Sequence, residues 1–261
     1  MQAHIVLAHP EPASFNSHLA AIARRTLETK GWRVTVSDLY AMGFDPTEGP
    51  QHYESRLTPD RFDAQAEQRH ASTEGTLPSD VAAEIEQLER ADLLVLQYPM
   101  WWHMPPAMLK GWMDRVLAYG AVYASRMRFE AGRFAGKRAM LSVTVGTSAA
   151  TYAHDGRSGD IDLLLWQVNF TLAYVGYEVL APFVAYGVEA GLRYSDPGAV
   201  EARLKGIEED WAAALGALDD RTTIPFNRMA DWGPDGRIVP GVPVYSPFIR
   251  RRETLELEEE R

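Results

Sequence analysis

Three short runs in this chain carry the residue types that hold flat, phosphorylated cofactors. The first, His9-Pro10-Glu11-Pro12-Ala13-Ser14-Phe15-Asn16, closes a β-branched run and opens a helix. Successive backbone N–H groups at a positive helix terminus would then face one sheet edge, a geometry suited to a pyrophosphate. Ser14 or Asn16 could equally serve only as the helix N-cap. The second run, YPMWWHMPPAMLKGWMDRVLAYGAVY over residues 98–123, joins an apolar burst to a helix whose first turn is preset by Pro105-Pro106. Trp101, Trp102 and His103 are left between strand and helix, where two tryptophans are either core or a slot for a planar ring. The third run is Thr144-Val145-Gly146-Thr147-Ser148-Ala149-Ala150-Thr151-Tyr152. Small residues beside a glycine let a flat ring approach the backbone, and Tyr152 follows as a hydrogen-bond donor. The plainer account makes Gly146 a strand-to-loop turn and Tyr152 a surface aromatic.

Composition excludes several other chemistries. With 26 basic against 36 acidic residues and a net charge of -10, the chain repels polyanions, so nucleic acid is not expected as a partner. The absence of cysteine removes disulfides, thiolate nucleophiles, Fe–S clusters and Cys-based zinc sites, and fits a cytoplasmic protein. The seven histidines give no ligand pair at helical spacing, so no metal is expected. The N-terminal MQAHIVLAHP reads as a strand rather than a signal peptide, and no apolar run approaches the roughly 20 residues a membrane span needs. No G-x-G-x-x-G, P-loop or G-x-S-x-G motif occurs. Asp114 sits four residues after Lys110, and an i,i+4 ion pair is its simplest role.

The elements that must position the three runs follow from periodicity. Residues 3–8, 32–37, 92–98 and 137–145 read as strands, and 177–186 as a fifth in which Pro182 argues for an edge position. Helical spacing covers residues 16–30, 78–90, 106–118, 159–174 and 197–218, the last with Val200, Leu204, Ile207, Trp211 and Leu215 on one stripe. Residues 42–76, polar and broken by Pro46, Gly49, Pro50, Pro59 and Gly75, read as an excursion with short helical pieces. Alternating strands and helices imply an α/β, doubly wound, five-stranded parallel sheet, better suited to the flavodoxin-like order 2-1-3-4-5 than to a six-strand dinucleotide fold. Loops at the carboxyl ends of such strands are where ligands bind, so the three runs converge. Residues 1–218 form this domain. Residues 219–261 read as an extended C-terminal arm, rich in proline and glycine, then basic at Arg250, Arg251 and Arg252, then acidic at Glu256, Glu258, Glu259 and Glu260. Its Phe226, Trp232, Tyr245 and Phe248 need burial, for which a partner subunit is one place.

HPEPASFN after the first strand, YPMWWHMPPAMLKGWMDRV after the third, GAVYASRMRF beyond it and VGTSAATY after the fourth resemble the NAD(P)H:quinone oxidoreductases of the DT-diaphorase type. The likeness spans about residues 1–218, the spacing P-x-x-W-x-x-x-P-A-x-L-K-G-W is specific, and the tail resembles that of a bacterial branch. The resemblance implies a flavodoxin-like fold, tightly bound FAD (with FMN as the lesser alternative), NAD(P)H as cosubstrate, and a homodimer with active sites at the subunit interface. By that likeness His9, Ala13, Ser14, Phe15, Asn16 and His18 meet the FAD phosphates and ribose, and Pro99, Met100, Trp102 and His103 border the isoalloxazine. Thr144, Val145, Gly146, Thr147 and Tyr152 cover its other edge, and Arg203 approaches the adenine half. The substrate slot is formed by Trp102, His103 and Gly146, with Tyr123 reaching in from the other subunit. Ser125 stands where the family has a second tyrosine. Tyr152 is the expected donor to N1 and O2 of the reduced ring. The family's nearby histidine is replaced by Ser158, leaving His154 and Arg157 as possible substitutes. The implied reaction is a hydride relay from NAD(P)H through FAD to a quinone. Alternatives on the same fold are a flavin-bearing regulatory subunit of a membrane ion transporter, an FMN electron carrier, and an FMN-dependent azo- or nitroreductase.

Overall fold

The computed structural model describes residues 1–189 and 195–251; the acidic run expected at 256–260 lies outside them, as does Arg252. Four long strands are parallel: β1 (Gln2–Leu7), β2 (Arg33–Asp38), β3 (Leu93–Pro99) and β4 (Arg138–Val145). Two short strands, β5 (Glu178–Val179) and β6 (Phe183–Tyr186), both pair with β4 and complete the order β2-β1-β3-β4-β5. Every residue of β3 is buried, as a continuous apolar run covered on both faces requires. The chain steps from β1 outward to β2 and returns to the other side of β1 with β3. The order therefore reverses between β1 and β3, and their carboxyl ends open a crevice.

The strand expected across residues 177–186 is interrupted at Pro182, which has no N–H for a sheet ladder. Ala181 instead donates to Thr222 O at 2.8 Å, and Arg221 donates to the carbonyls of Ala181 and Pro182 at 2.6 and 2.7 Å. Thr223 pairs antiparallel with Leu180, and Ile224 N–H reaches Val179 O at 2.8 Å. The first residues of the arm thus lie along β5.

Alternation along the strands sends side chains to two cores. Ala3, Ile5, Leu93, Val95 and Met140 meet α1 (Phe15–Thr29) and α6 (Pro197–Gly216). Val6, Leu94, Leu96, Leu141 and Val143 meet α3 (Ser79–Arg90), α4 (Ala107–Val116) and α5 (Ile161–Tyr174). Within α6 only Trp211 and Leu215 of the expected stripe are buried; Val200, Leu204 and Ile207 are half-buried. At 20 residues the helix spans about 30 Å, longer than the strands it covers, so its first turns stand over the carboxyl edge. Trp211 fixes the other end, donating to Leu19 O at 3.0 Å and packing on Phe183.

The excursion holds an α2 helix (Ala64–Glu74) tied down by buried polar groups. Glu67 accepts from Leu57 N and Arg56 Nε, both at 2.9 Å, and Gln68 bonds Asp114 O and Tyr119 N. Asp114 itself pairs with Lys110 on α4, as the i,i+4 spacing predicts. Among the described residues no helix is long and apolar enough to cross a membrane.

A second buried acid organises the α3–α4 face. Glu84 on α3 accepts from Ser37 Oγ at 2.6 Å and Trp112 Nε1 at 2.8 Å, and stands 3.8 Å from His4 Nε2. Burial pushes its carboxyl up, but the neighbouring His4 and the hydrogen bonds from Ser37 and Trp112 outweigh that and hold it below the ordinary value. A carboxyl depressed in the fold stabilises above its unfolded value and loses that contribution as pH falls through the folded one. Glu84→Gln should therefore cost about 1–3 kcal/mol at pH 7. In urea unfolding curves the gap to the parent should narrow below the ordinary 4.5; a gap independent of pH would show that the ionised form carries no weight.

Candidate functional site

The loop after β1 is locked by Glu11. Its Oε1 accepts from Ala13 N at 2.8 Å, its carbonyl accepts from Ser14 N at 3.1 Å, and its own N–H donates to His9 Nδ1 at 3.0 Å. Ser14 is the N-cap of α1, its Oγ accepting from Ser17 N at 3.1 Å. The Ala13 and Ser14 amides are thereby engaged within the loop itself. Phe15 and Asn16 keep the first-turn N–H groups that a helix cannot satisfy internally. The Asn16 side chain also points inward: it is buried, donates to Thr144 Oγ1 at 2.9 Å and accepts from Gln97 Nε2 at 2.9 Å. Any ligand contact from Asn16 must come from its backbone. His18 pairs with Glu208 of α6 at 3.0 Å and packs against Phe15.

After β3, Met100 N–H extends the ladder to Thr144 O at 2.9 Å, and the chain then reverses within four residues. Trp101 and Met104 exchange N–H···O bonds, both 3.0 Å, around Trp102 at φ 52° and His103 at φ 62°. Two consecutive left-handed residues make a mirror-image turn that normally demands Asn or Gly. A residue with a Cβ pays about 1–2 kcal/mol there. Among the described residues nothing repays it by packing on Trp102, which is 93% exposed. Strain of this kind, held by a short closed loop, points to a binding role. Trp112, further along on α4, is fully buried as a packing residue. Trp101 is not core, however: it is partly exposed and meets the edge of His9.

After β4, Val145 is buried and Gly146 and Thr147 are half-exposed. Gly146 has no positive φ, and a Cβ there would meet only Val188 O at 3.8 Å, so folding does not require the glycine. The space it leaves suits a ligand. Thr147 Oγ1 is buried without a partner. A 3₁₀ turn, Ala149–Tyr152, brings the half-buried Tyr152 ring to 6.2 Å from Tyr186 at the end of β6. Burial raises the Tyr186 phenol, with Asp162, Asp160 and Tyr152 adding to the shift. Between the loops after β4 and β6 lies a cavity of about 440 Å³ lined by Gly146, Thr147, Arg157, Tyr186 and Arg203 among others.

The structure thus gathers the loops containing His9, Trp102 and Gly146 at one edge and adds Arg203 from α6. It leaves Tyr123 apart: its hydroxyl accepts from Gln65 Nε2 at 3.0 Å, its ring meets Tyr119 and Tyr174, and it lines a different cavity of about 380 Å³. His154 is exposed, and Ser158 is folded back, its N–H on Thr151 O at 3.0 Å. Sequence reasoning missed Glu11 as the lock of the first loop, and Tyr186, whose place at a strand end in line with Thr144 and Val145 was the available signal. Among the described residues no group of three His, Asp or Glu could hold a metal ion.

A family model described as a flavodoxin-like fold matches residues 1–210. The chain is 40% identical over 189 residues to the NAD(P)H dehydrogenase [quinone] 1 of Cavia porcellus, covering 72% of this chain and 69% of that protein. To the ribosyldihydronicotinamide dehydrogenase [quinone] of Pongo abelii it is 38% identical over 223 residues, 85% of this chain and 93% of that one. A solved candidate quinone reductase from Klebsiella pneumoniae superimposes with a TM-score of 0.84 at 33% identity, covering 95% of this chain and 98% of its own.

The strained turn generates a test. His103→Gly should raise stability by about 0.5–1 kcal/mol, because glycine removes the left-handed penalty while adding some unfolded-state entropy. Urea unfolding measures this, and a less stable variant would mean the turn is not strained.

Proposed function

Because the chain belongs to the flavodoxin-like family of NAD(P)H:quinone oxidoreductases, we propose that it binds FAD and uses NAD(P)H to reduce a quinone or similarly planar acceptor by two-electron hydride transfer. The observation that carries this reading is the convergence of three loops at the sheet's reversal point. They bring the first-turn amides of α1, the space at Gly146 and the unpartnered Thr147 Oγ1 to one edge. These features fit a flavin nucleotide. FAD is favoured over FMN because the site continues to His18 on α1 and Arg203 on α6, where an adenine half would lie.

A bound flavin would supply hydride acceptance and donation. The chain's own residues have the tasks of holding it and shaping access. Phe15 and Asn16 amides would meet its phosphates at the positive end of α1. Pro99, Met100, Thr144 and Val145 form the floor, the first and last two buried and Met100 half-buried. Trp102 and His103 project from their turn as one wall of a slot that accepts flat molecules. Tyr152, with its O–H near the loop after β4, would donate a hydrogen bond to charge developing on reduction, an interaction stronger in the transition state than before it.

The homodimer belongs to the same proposal. Trp102, Met104 and Leu163 are exposed apolar side chains, and Tyr123 lies in a cavity of its own, so it would complete a partner's slot. The domain ends near residue 218. Of the arm, Phe226 packs on Trp166 of its own chain, whereas Tyr245 and Phe248 are exposed and would pack on the partner.

Heat-released flavin should chromatograph as FAD, and the purified protein should oxidise NADH or NADPH with menadione. Flavin without turnover would favour a regulatory or carrier role. Tyr152→Phe should slow flavin reduction in stopped-flow by roughly tenfold or more with flavin content unchanged. Equal rates would remove Tyr152 from the mechanism.

A further inference from the structure

The cavity between the loops after β4 and β6 has a charge pattern of which the proposed function uses only Arg203. Its lining contains two cations, Arg157 and Arg203, and one acid, Glu189. Arg203 is already engaged: Nε donates to Gly187 O at 3.0 Å and Nη2 to Glu189 at 3.1 Å. Glu189's other carboxylate oxygen accepts from Ser195 Oγ at 2.5 Å. Arg157 is exposed at the cavity's rim, and among the described residues it has no hydrogen bond or ion pair. The lining is therefore net positive by one charge, in a chain whose net charge is -10.

Three further features make Arg157 more than a solvated surface cation. Its backbone is fixed on both sides, because Gly156 packs so closely that a Cβ would fall 2.4 Å from Thr151 O, while Ser158 N–H is bonded to that same carbonyl at 3.0 Å. The buried, unpartnered Thr147 Oγ1 lines the same space and offers a second donor. Finally, Asp160 and Asp162 lie near enough to add to the burial-driven rise of Tyr186. Their field opposes an incoming anion, and the Asp160 carboxylate is held at the start of α5 by Asp162 N–H at 2.8 Å. An anion in this cavity needs a counter-ion of its own, and guanidinium is suited to phosphate or to a delocalised anionic ring edge.

We propose that Arg157 is the counter-ion of the bound flavin nucleotide, holding an anionic group that is either a phosphate or the ring edge that gains charge on reduction. This rests on the proposed flavin site and adds a residue to it.

The test uses the flavin-loaded protein with Arg157→Gln and Arg157→Lys, measuring the dissociation constant for oxidised FAD and the two-electron midpoint potential. If the anion is a phosphate, Arg157→Gln loses about tenfold in affinity with the potential unchanged. If it is the reduced ring, affinity for oxidised FAD is kept and the ratio of reduced to oxidised flavin falls about tenfold, which is about 30 mV downward for a two-electron couple. In either case Arg157→Lys retains most of the parent's behaviour, because it keeps the charge. The proposal is overturned if Arg157→Gln matches the parent in both measurements, or if Arg157→Lys is as impaired as Arg157→Gln, which would mark a damaged loop. Protein purified without any flavin would overturn the flavin site itself. Flavin present with an unaltered Arg157→Gln variant overturns only the role of Arg157.

Discussion

The position of the whole carboxyl edge depends on one buried amide. Asn16 stands in the first turn of α1 and bridges Gln97 of β3 to Thr144 of β4, with both hydrogen bonds at 2.9 Å. An apolar contact there would hold the helix against the sheet without fixing its rotation. A bridging carboxamide fixes both, since each of its ends must meet a complementary partner in a buried setting where an unmet group costs about 1–3 kcal/mol. The loop after β1 runs into the helix turn that holds Asn16, and the loops after β3 and β4 begin within three residues of Gln97 and Thr144. Their relative placement is set by polar fit, and the apolar cores below only supply the cohesion.

That division explains what could be read from the sequence. The continuous apolar run of β3, the period of α1 and the alternation of strands and helices all report burial, and burial fixes the order of the sheet. The N-cap reading of Ser14 was equally legible, because a serine before a helical period has a simple local use. The Asn16 bridge was not, since the same residue type suits a cap, a ligand contact or a long-range bond, and only the fold brings Gln97 and Thr144 to it. Glu84 was hidden for the same reason: its partners Ser37 and Trp112 are 47 and 28 residues away.

The aromatic loop shows a different limit. Trp102 and His103 adopt a backbone that sequence rules reserve for glycine and asparagine, so no local signal could announce it. Trp101, at the start of that same turn, is exposed rather than core. In Pro182 the local signal was present and correct in kind, yet its effect was to divide a strand rather than merely to place it at an edge. The half-buried stripe of α6 has a geometric cause: periodicity gives a helix's face but not how far it runs past the sheet.

The antiparallel strap at Thr222 to Ile224 has a consequence for the protein at high concentration. A bare sheet edge offers a rail of N–H and C=O groups to which strands of other copies can add. On the β5 side this chain occupies part of that rail with its own residues, through Ala181 to Thr222 and Ile224 to Val179. On the other side, β2 ends in the charged residues Arg33 and Asp38. Edge-to-edge polymerisation is therefore hindered by partial occupancy at one margin and by charge at the other, and a chain cut before residue 222 would lose the first of these protections.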